Sequence, residues 1–195
     1  LATNLDMPEL SADCPKVSVI VPVFNDAVSL RRCLEALDDQ TLPKDRYEVI
    51  VVDNGSQPPL ASVVAPFRFA RCVVEAKQGS YAARNTGVRN AVGELLAFTD
   101  ADCEPSPDWL EQFVRTFECD DSVSALGGRI GISVSVERKI AELYELVLTP
   151  FPQQKFVERE GFSVTGHLAI RSSVCHSVGP FNERLFSSGG REWGS

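Results

Sequence analysis

Asp100 and Asp102 stand one residue apart at the end of an apolar run, in the stretch LLAFTDADCEPSPDW of residues 95–109. Carboxylates this close repel one another and are costly to bury unless a positive group lies beside them. In an extended segment, side chains at i and i+2 point to the same side. Both acids can then face one site and share a hard divalent cation with phosphate oxygens. An isolated D-x-D more often caps a helix or braces a turn. Here the pair follows a buried strand, which turns the balance toward a metal or a ligand.

Two further positions carry chemistry. Asp53 closes the apolar run YEVIVV and precedes the turn-forming Asn54-Gly55-Ser56. It either makes an Asx turn or accepts hydrogen bonds from a base or a ribose. The stretch GSYAARNTGVRNA, residues 79–91, combines a glycine entry at Gly79, a helix N-terminus and Arg84 near the first turn. Backbone N–H groups at such a terminus favour an anion, and an arginine adds a bidentate contact. The bland alternative makes Arg84 a solvated helix residue and Gly87 a packing gap against the sheet.

Several chemistries are set aside. No GxGxxG, GxxxxGK[ST] or GxSxG occurs, so dinucleotide, Walker-type and nucleophile-elbow sites lack their motifs. The two histidines, His167 and His176, form no ligand cluster. His176 reads as a surface helix residue, and His167 as either pocket lining or structural.

The elements that must position these acids follow from hydrophobic periodicity. Residues 17–23 (VSVIVPV) read as a strand covered on both faces. Leu30, Cys33, Leu34 and Leu37 mark one face of a helix. A strand over 47–52, a short helix over 61–67, a strand over 70–74, a helix over 80–92 and a strand over 95–99 follow. Ser106 and Pro107 supply an N-cap and a first-turn proline for a helix with Leu110, Phe113, Val114 and Phe117 inward. Successive βα units predict a parallel sheet with helices on both faces, whose ligands bind beyond the carboxyl ends of the strands. That rule brings residues 22–26, 53–56 and 100–102 to one rim. Beyond them the pattern predicts a strand over 124–136 broken at Gly127-Gly128 and a helix through Ile140, Leu143, Tyr144 and Val147. A strand over 162–170 and a helix over 172–178 complete it.

The chain has 195 residues, with 44% hydrophobic and 24% charged residues, enough for one substantial core and short for two. The expected organisation is a loose leader over 1–15 and a single domain over 16–195. That domain divides into a nucleotide-type half over 16–118 and a mixed C-terminal extension over 119–195. A net charge of −8 without a basic stripe argues against nucleic acid. The six cysteines form no CxxC pair and suit a reducing compartment. No run approaches the roughly 18 apolar residues of a membrane span. The expected location is the cytoplasm, including the cytoplasmic face of a membrane reached through segments outside this sequence.

VSVIVPVFND, YEVIVVDNGS, GSYAARNTG, FTDADCEPSPDWL, and TGHLAIRSSV followed by GPFNERLFSSGG together resemble the family 2 inverting glycosyltransferases of the GT-A fold. The five segments occur in order and span most of the chain. The resemblance implies an α/β fold of GT-A type, a Rossmann-like, mostly parallel sheet flanked by helices. It further implies that Pro22, Val23, Phe24, Asn25, Asp53, Gly79 and Arg84 hold the nucleotide of a sugar-nucleotide donor, most commonly a UDP-sugar. Asp100 and Ala101 would lie on the ribose side, and Asp102 would coordinate a Mg²⁺ or Mn²⁺ ion on the diphosphate. The TGHLAI segment would help form the side for a saccharide, lipid-linked or other hydroxyl acceptor. The family's usual Glu-Asp pair after Gly-Gly is spelled Gly189-Gly190-Arg191-Glu192-Trp193 here, close to the last residue, Ser195. Glu192 is the candidate base, and the chain is read as a fragment ending near that motif.

The implied mechanism is a single displacement with inversion, with Glu192 removing the acceptor's proton while the cation neutralises the departing diphosphate. Two rivals remain. A nucleotidyltransferase shares the carboxylates and metal but generally needs a glycine-rich, basic loop after the first strand, which VPVFNDAVSL lacks. A catalytically inactive nucleotide-sugar-binding module is compatible with the altered acidic motif.

Overall fold

The computed structural model describes residues 16–131 and 164–184. Strand β1 (Val17–Val23) lies between β2 (Tyr47–Asp53) and β4 (Leu95–Phe98), both parallel to it. Strand β3 (Ala70–Val74) extends the sheet beyond β2. The pattern then reverses. Strand β6 (Leu168–Arg171) runs antiparallel against β4, and β5 (Ala125–Gly127) runs antiparallel against β6, giving the order β3-β2-β1-β4-β6-β5. The C-terminal extension therefore continues the sheet sideways.

β1 is buried along its whole length, as a continuous β-branched run requires. Its two faces serve different layers. Val17, Val19, Val21 and Val23 join Leu30, Cys33, Leu34 and Leu37 of helix α1 (Ala27–Asp38) and Trp109, Leu110, Phe113 and Phe117 of helix α4 (Trp109–Cys119). On the opposite face Ile20 packs with Leu96 and Phe98, against which Val88, Leu168, Ile170 and Phe181 are seated. Helix α3 (Ser80–Asn90) lies on this second face so closely that a Cβ at Gly87 would come within 2.4 Å of Ile20 Cγ2. Gly87 is the packing gap the sequence offers as its bland reading.

Several expected boundaries move. Helix α2 (Ala61–Val64) stops short of Phe67, because Pro66 has no N–H with which to continue it. α3 ends at Asn90, before Gly93 passes against Ser18. Ser106 does not cap α4, whose N-cap position is Asp108 and which lacks a side-chain cap of its own. Instead Ser106 Oγ donates to Asp108 Oδ1 at 2.9 Å, and Gln40 accepts from the Leu110 N–H at 3.0 Å while donating to the Ser106 carbonyl. A buried amide from another element thus satisfies a helix-end donor that would otherwise be orphaned.

Of the strand expected over 162–170, the described part from residue 164 is a 3₁₀ turn at Thr165–His167 followed by β6, since β4 offers pairing partners only from Leu168 onward. β5 stops at the Gly127-Gly128 break, where the His167 ring fills the space a Gly128 Cβ would need. Helix α5 (Ser172–Val178) falls where expected. The leader over 1–15, the strand beyond residue 131, the helix around 140–147 and Glu192 lie outside the described residues. The five described cysteines are free, and burial pushes the Cys33 thiol up, making it a small apolar core residue.

Candidate functional site

The carboxyl ends of β1, β2 and β4 meet at one rim; the loops after β1 and β2 are tied to each other, and the loop after β4 is tied to α3 through Arg84. After β1 the chain turns at Asn25, whose φ of +53° is a conformation asparagine tolerates better than most residues. Its N–H donates to Ser56 Oγ at 2.9 Å, and its Oδ1 accepts from the Gln57 N–H at 2.8 Å. The Asn54 N–H donates to the Val23 carbonyl at 2.9 Å. Pro22 and Val23 are buried beneath this clasp, Phe24 is half-buried and Asn25 is exposed.

Asp53 is 1% exposed. Its Oδ1 accepts from the Ser56 N–H at 2.8 Å and its Oδ2 from the Leu60 N–H at 2.9 Å. Burial works against its ionisation, but hydrogen bonds from Ser56, Leu60 and Gly55 outweigh it and hold the carboxyl below its ordinary range. Asp53 therefore makes the Asx-type brace weighed in the sequence. Asn54 does more than a turn residue would. Its Nδ2 donates to the Glu75 and Lys77 carbonyls at 2.9 and 2.8 Å, and its Oδ1 accepts from the Gly79 N–H at 2.8 Å. One buried amide thus hangs the β3–α3 loop from the end of β2. At Gly79, with φ +131°, an added Cβ would meet nothing within 4 Å, so the N-terminus of α3 opens outward.

The acids after β4 differ from the extended pair expected. The strand ends at Phe98, and residues 100–103 form a turn closed by the Cys103 N–H on the Asp100 carbonyl at 3.0 Å. A turn separates side chains that an extended strand would align. Asp100 Oδ1 accepts from Arg84 Nη2 at 2.5 Å, while its Oδ2 faces Gly166, where an added Cβ would lie 3.2 Å away. Asp102 is exposed, with the Cys103 sulfur 3.8 Å from its Oδ1. Ala101 between them is buried. Arg84 is neither solvated nor open at the helix start. It is 5% exposed, and its Nε lies buried without a hydrogen-bond partner.

The TGH turn brings the antiparallel edge to the same rim through Gly166. His167 is structural: its Nδ1 lies 2.9 Å from the Arg129 carbonyl, and its ring meets Trp109 and Phe113 edge-on at 5.8 and 5.4 Å. Burial lowers its pKa despite the Arg129 contact. His176 is exposed on α5, as read from the sequence.

A polar network absent from the sequence reading surrounds α3. Asn85, Glu183 and Lys77 form one side-chain cluster and Thr86, Glu75 and Arg89 another, joined through the Lys77 backbone N–H, which donates to Glu75 Oε1. The available signal was the helix itself: residues 82–87 of α3 are all buried although Arg84, Asn85 and Thr86 are polar. Buried polar residues require partners.

Among the described residues no group of three or more His, Cys, Asp or Glu could hold a metal ion. Asp102 nonetheless fits the donor chemistry of Mg²⁺ or Mn²⁺ beside a diphosphate. Such ions keep water ligands and take one or two carboxylates together with substrate phosphates rather than a protein cage. No helix among the described residues is long and apolar enough to cross a membrane.

Comparison with known proteins bears on this rim. The family model "Glycosyl transferase family 2" matches residues 18–178. Glycosyltransferase AglE of Haloferax volcanii is 37% identical over 189 residues, covering 94% of this chain and 62% of that protein. The pre-mycofactocin glycosyltransferase of Mycobacterium tuberculosis is 33% identical, covering 88% of this chain and 36% of its own length. The chain thus spans less than two thirds of either relative. Among solved structures, the mannosyltransferase PcManGT of Pyrobaculum calidifontis, in complex with GDP-Man and Mn²⁺, superposes with a TM-score of 0.68. It is 25% identical, with 88% of this chain and 49% of that one covered. S. aureus TarS 1-349 with UDP-GlcNAc superposes at 0.70 and 23% identity, covering 91% and 52%.

Proposed function

Because the chain belongs to glycosyl transferase family 2, we propose that it serves the transfer of a sugar from a nucleoside-diphosphate sugar, a UDP-sugar foremost, to an acceptor hydroxyl with inversion. The observation that carries this reading is the division of labour after β4: Asp100 is paired with buried Arg84, and Asp102 is left exposed at the rim. A carboxylate already neutralised by arginine is a positioning group, whereas an exposed one retains its lone pairs for a cation.

In this reading Phe24 and Asn25 line the base side, carried by the buried Pro22 and Val23 at the end of β1, over the loop that Asp53 braces. Gly79 leaves room for the nucleotide at the start of α3, and Arg84 acts by holding Asp100, with Ala101, toward the ribose. Asp102 would hold a Mg²⁺ or Mn²⁺ ion, which would supply charge neutralisation for the leaving nucleoside diphosphate. Glu192 removes the proton of the attacking hydroxyl, so a single displacement suffices and the anomeric configuration inverts. The acceptor is a saccharide, a lipid-linked sugar or another hydroxyl compound. The five cysteines among the described residues are free, which supports a reducing, cytoplasmic setting.

The test is thermal stabilisation and nucleotide release with UDP-glucose, UDP-GlcNAc and GDP-mannose, with and without Mn²⁺. Stabilisation that depends on Mn²⁺ is expected from at least one of them; stabilisation by nucleoside triphosphates in preference to sugar nucleotides would replace the reading with nucleotidyl transfer. In the full-length protein Glu192→Gln is expected to bind the donor normally and lose nucleotide release. Normal release would remove Glu192 as the base.

A further inference from the structure

Residues 179–184 run alongside α3 as a strap that follows α5, with Phe181 seated against the buried Ile20, Leu96 and Phe98 cluster. Its attachment centres on Asn85, which is 3% exposed and uses both ends of its amide. Nδ2 donates to the Phe181 carbonyl at 3.0 Å and to Glu183 Oε1 at 2.7 Å, and Oδ1 accepts from the Phe181 N–H at 2.9 Å. The Phe181 ring stacks on Tyr81 with centroids 5.8 Å apart and planes 3° apart, and meets Phe98 edge-on at 5.5 Å. Outside, Glu183 also pairs with Lys77, in the loop that Asn54 suspends from β2.

Arg84 and Asn85 are neighbours on one helix. The first grips Asp100 on the rim, and the second grips the strap. A single rigid element therefore sets the distance between the strand-tip carboxylates and the strap, which in sequence leads toward Glu192. We propose that Asn85 is a positioning residue for transfer: by docking the strap on α3 it registers the segment that carries the base against the donor held near Asp100 and Asp102. This rests on the glycosyl-transfer reading above. Its consequence is specific. Asn85 governs the rate of turnover and leaves donor affinity alone, because its amide is spent on Phe181 and Glu183 and bonds to none of Gly79, Arg84, Asp100 or Asp102.

Asn85→Asp isolates the contact. The new carboxylate is nearly isosteric, but it faces the Phe181 carbonyl and the Glu183 carboxylate without a proton to donate. In the full-length protein, with whichever of UDP-glucose, UDP-GlcNAc or GDP-mannose stabilises it most in Mn²⁺, Asn85→Asp is expected to lower kcat for nucleotide release by about 10-fold to 100-fold, the order expected for a misplaced catalytic group. KM for the donor should stay within about 2-fold of wild type. Adding Glu183→Gln restores a donor toward the new acid and should recover part of kcat. Hydrogen exchange at the Phe181 amide should quicken in Asn85→Asp and slow again in the double variant. Lys77→Glu, on the exposed side, loosens the same strap without altering a buried group, and should lower kcat in the same direction even if Asn85→Asp folds poorly.

Unchanged kcat, a change in KM alone, or no recovery in the double variant overturns the proposal. A wild-type protein that neither binds nor turns over any of the three donors overturns the glycosyl-transfer reading instead, while Phe181 exchange still decides whether Asn85 docks the strap.

Discussion

Asp53 and Asp102 both follow a parallel strand to the same rim, yet the fold treats them oppositely. Asp53 is buried, and both its oxygens accept backbone N–H groups of the loop it precedes. Asp102 is exposed within a turn that carries it away from the strand. Identical side chains at similar topological positions thus divide into one that holds the loop and one that remains available to a ligand. The difference teaches where stability and function are separable: on the proposed reading, removing Asp53 should damage the scaffold, and removing Asp102 should damage only the binding of donor and metal.

That contrast can be broken most directly at Asp102. Asp102→Ala should abolish the Mn²⁺-dependent part of donor stabilisation, which for wild type with ligand at about 100 times Kd is about 2.7 kcal/mol. Its unliganded stability should stay within about 0.5 kcal/mol of wild type, as for surface substitutions generally. Urea unfolding with and without donor and metal separates the two quantities; retained metal-dependent stabilisation would show that Asp102 is not the ligand.

Asp53→Ala should do the reverse. It leaves the Ser56 and Leu60 N–H groups without their acceptor, at about 1–3 kcal/mol for each buried donor, so a loss of about 2–6 kcal/mol in urea stability is expected. A loss below about 0.5 kcal/mol would erase the distinction between the acids. Asp53→Asn should cost less, about 1–3 kcal/mol, because its amide keeps one acceptor while its NH₂ opposes the other backbone donor.

The smallest effect is on pH dependence. Asp53 titrates below its ordinary range when folded, so its contribution to stability is complete above the unfolded carboxyl pKa, near 3.8, and is lost as pH falls through the lower folded value. Urea midpoints measured from pH 6 down to about pH 3 should therefore fall less steeply in Asp53→Asn than in wild type. Identical slopes would mean that the brace does not depend on ionisation.

Much of the architecture was legible in the chain because it depends on local pattern. The seven-residue β-branched run became β1 with every position buried, and Leu30, Cys33, Leu34 and Leu37 occupy the inner face of α1. Helix-period and strand-period apolar patterns have one economical burial, so their reading survives folding. Boundaries were less legible where a distant partner decides them. The start of α4 depends on Gln40, and the start of β6 on where β4 offers pairing groups.

The site divides along the same line. The sequence by itself determined which acids reach the rim, since strand order and the direction of parallel βα units carry Asp53, Asp100 and Asp102 there whatever their side chains do. Only the tertiary structure decided what each became. Asp53 was claimed by two backbone donors, Asp100 by a buried arginine from α3, and Asn85 by a strap from far along the chain. Apolar burial is additive and periodic, so it can be read from spacing. A polar group's role depends on directional partners that distant segments bring within hydrogen-bond reach, and those partners are settled by packing.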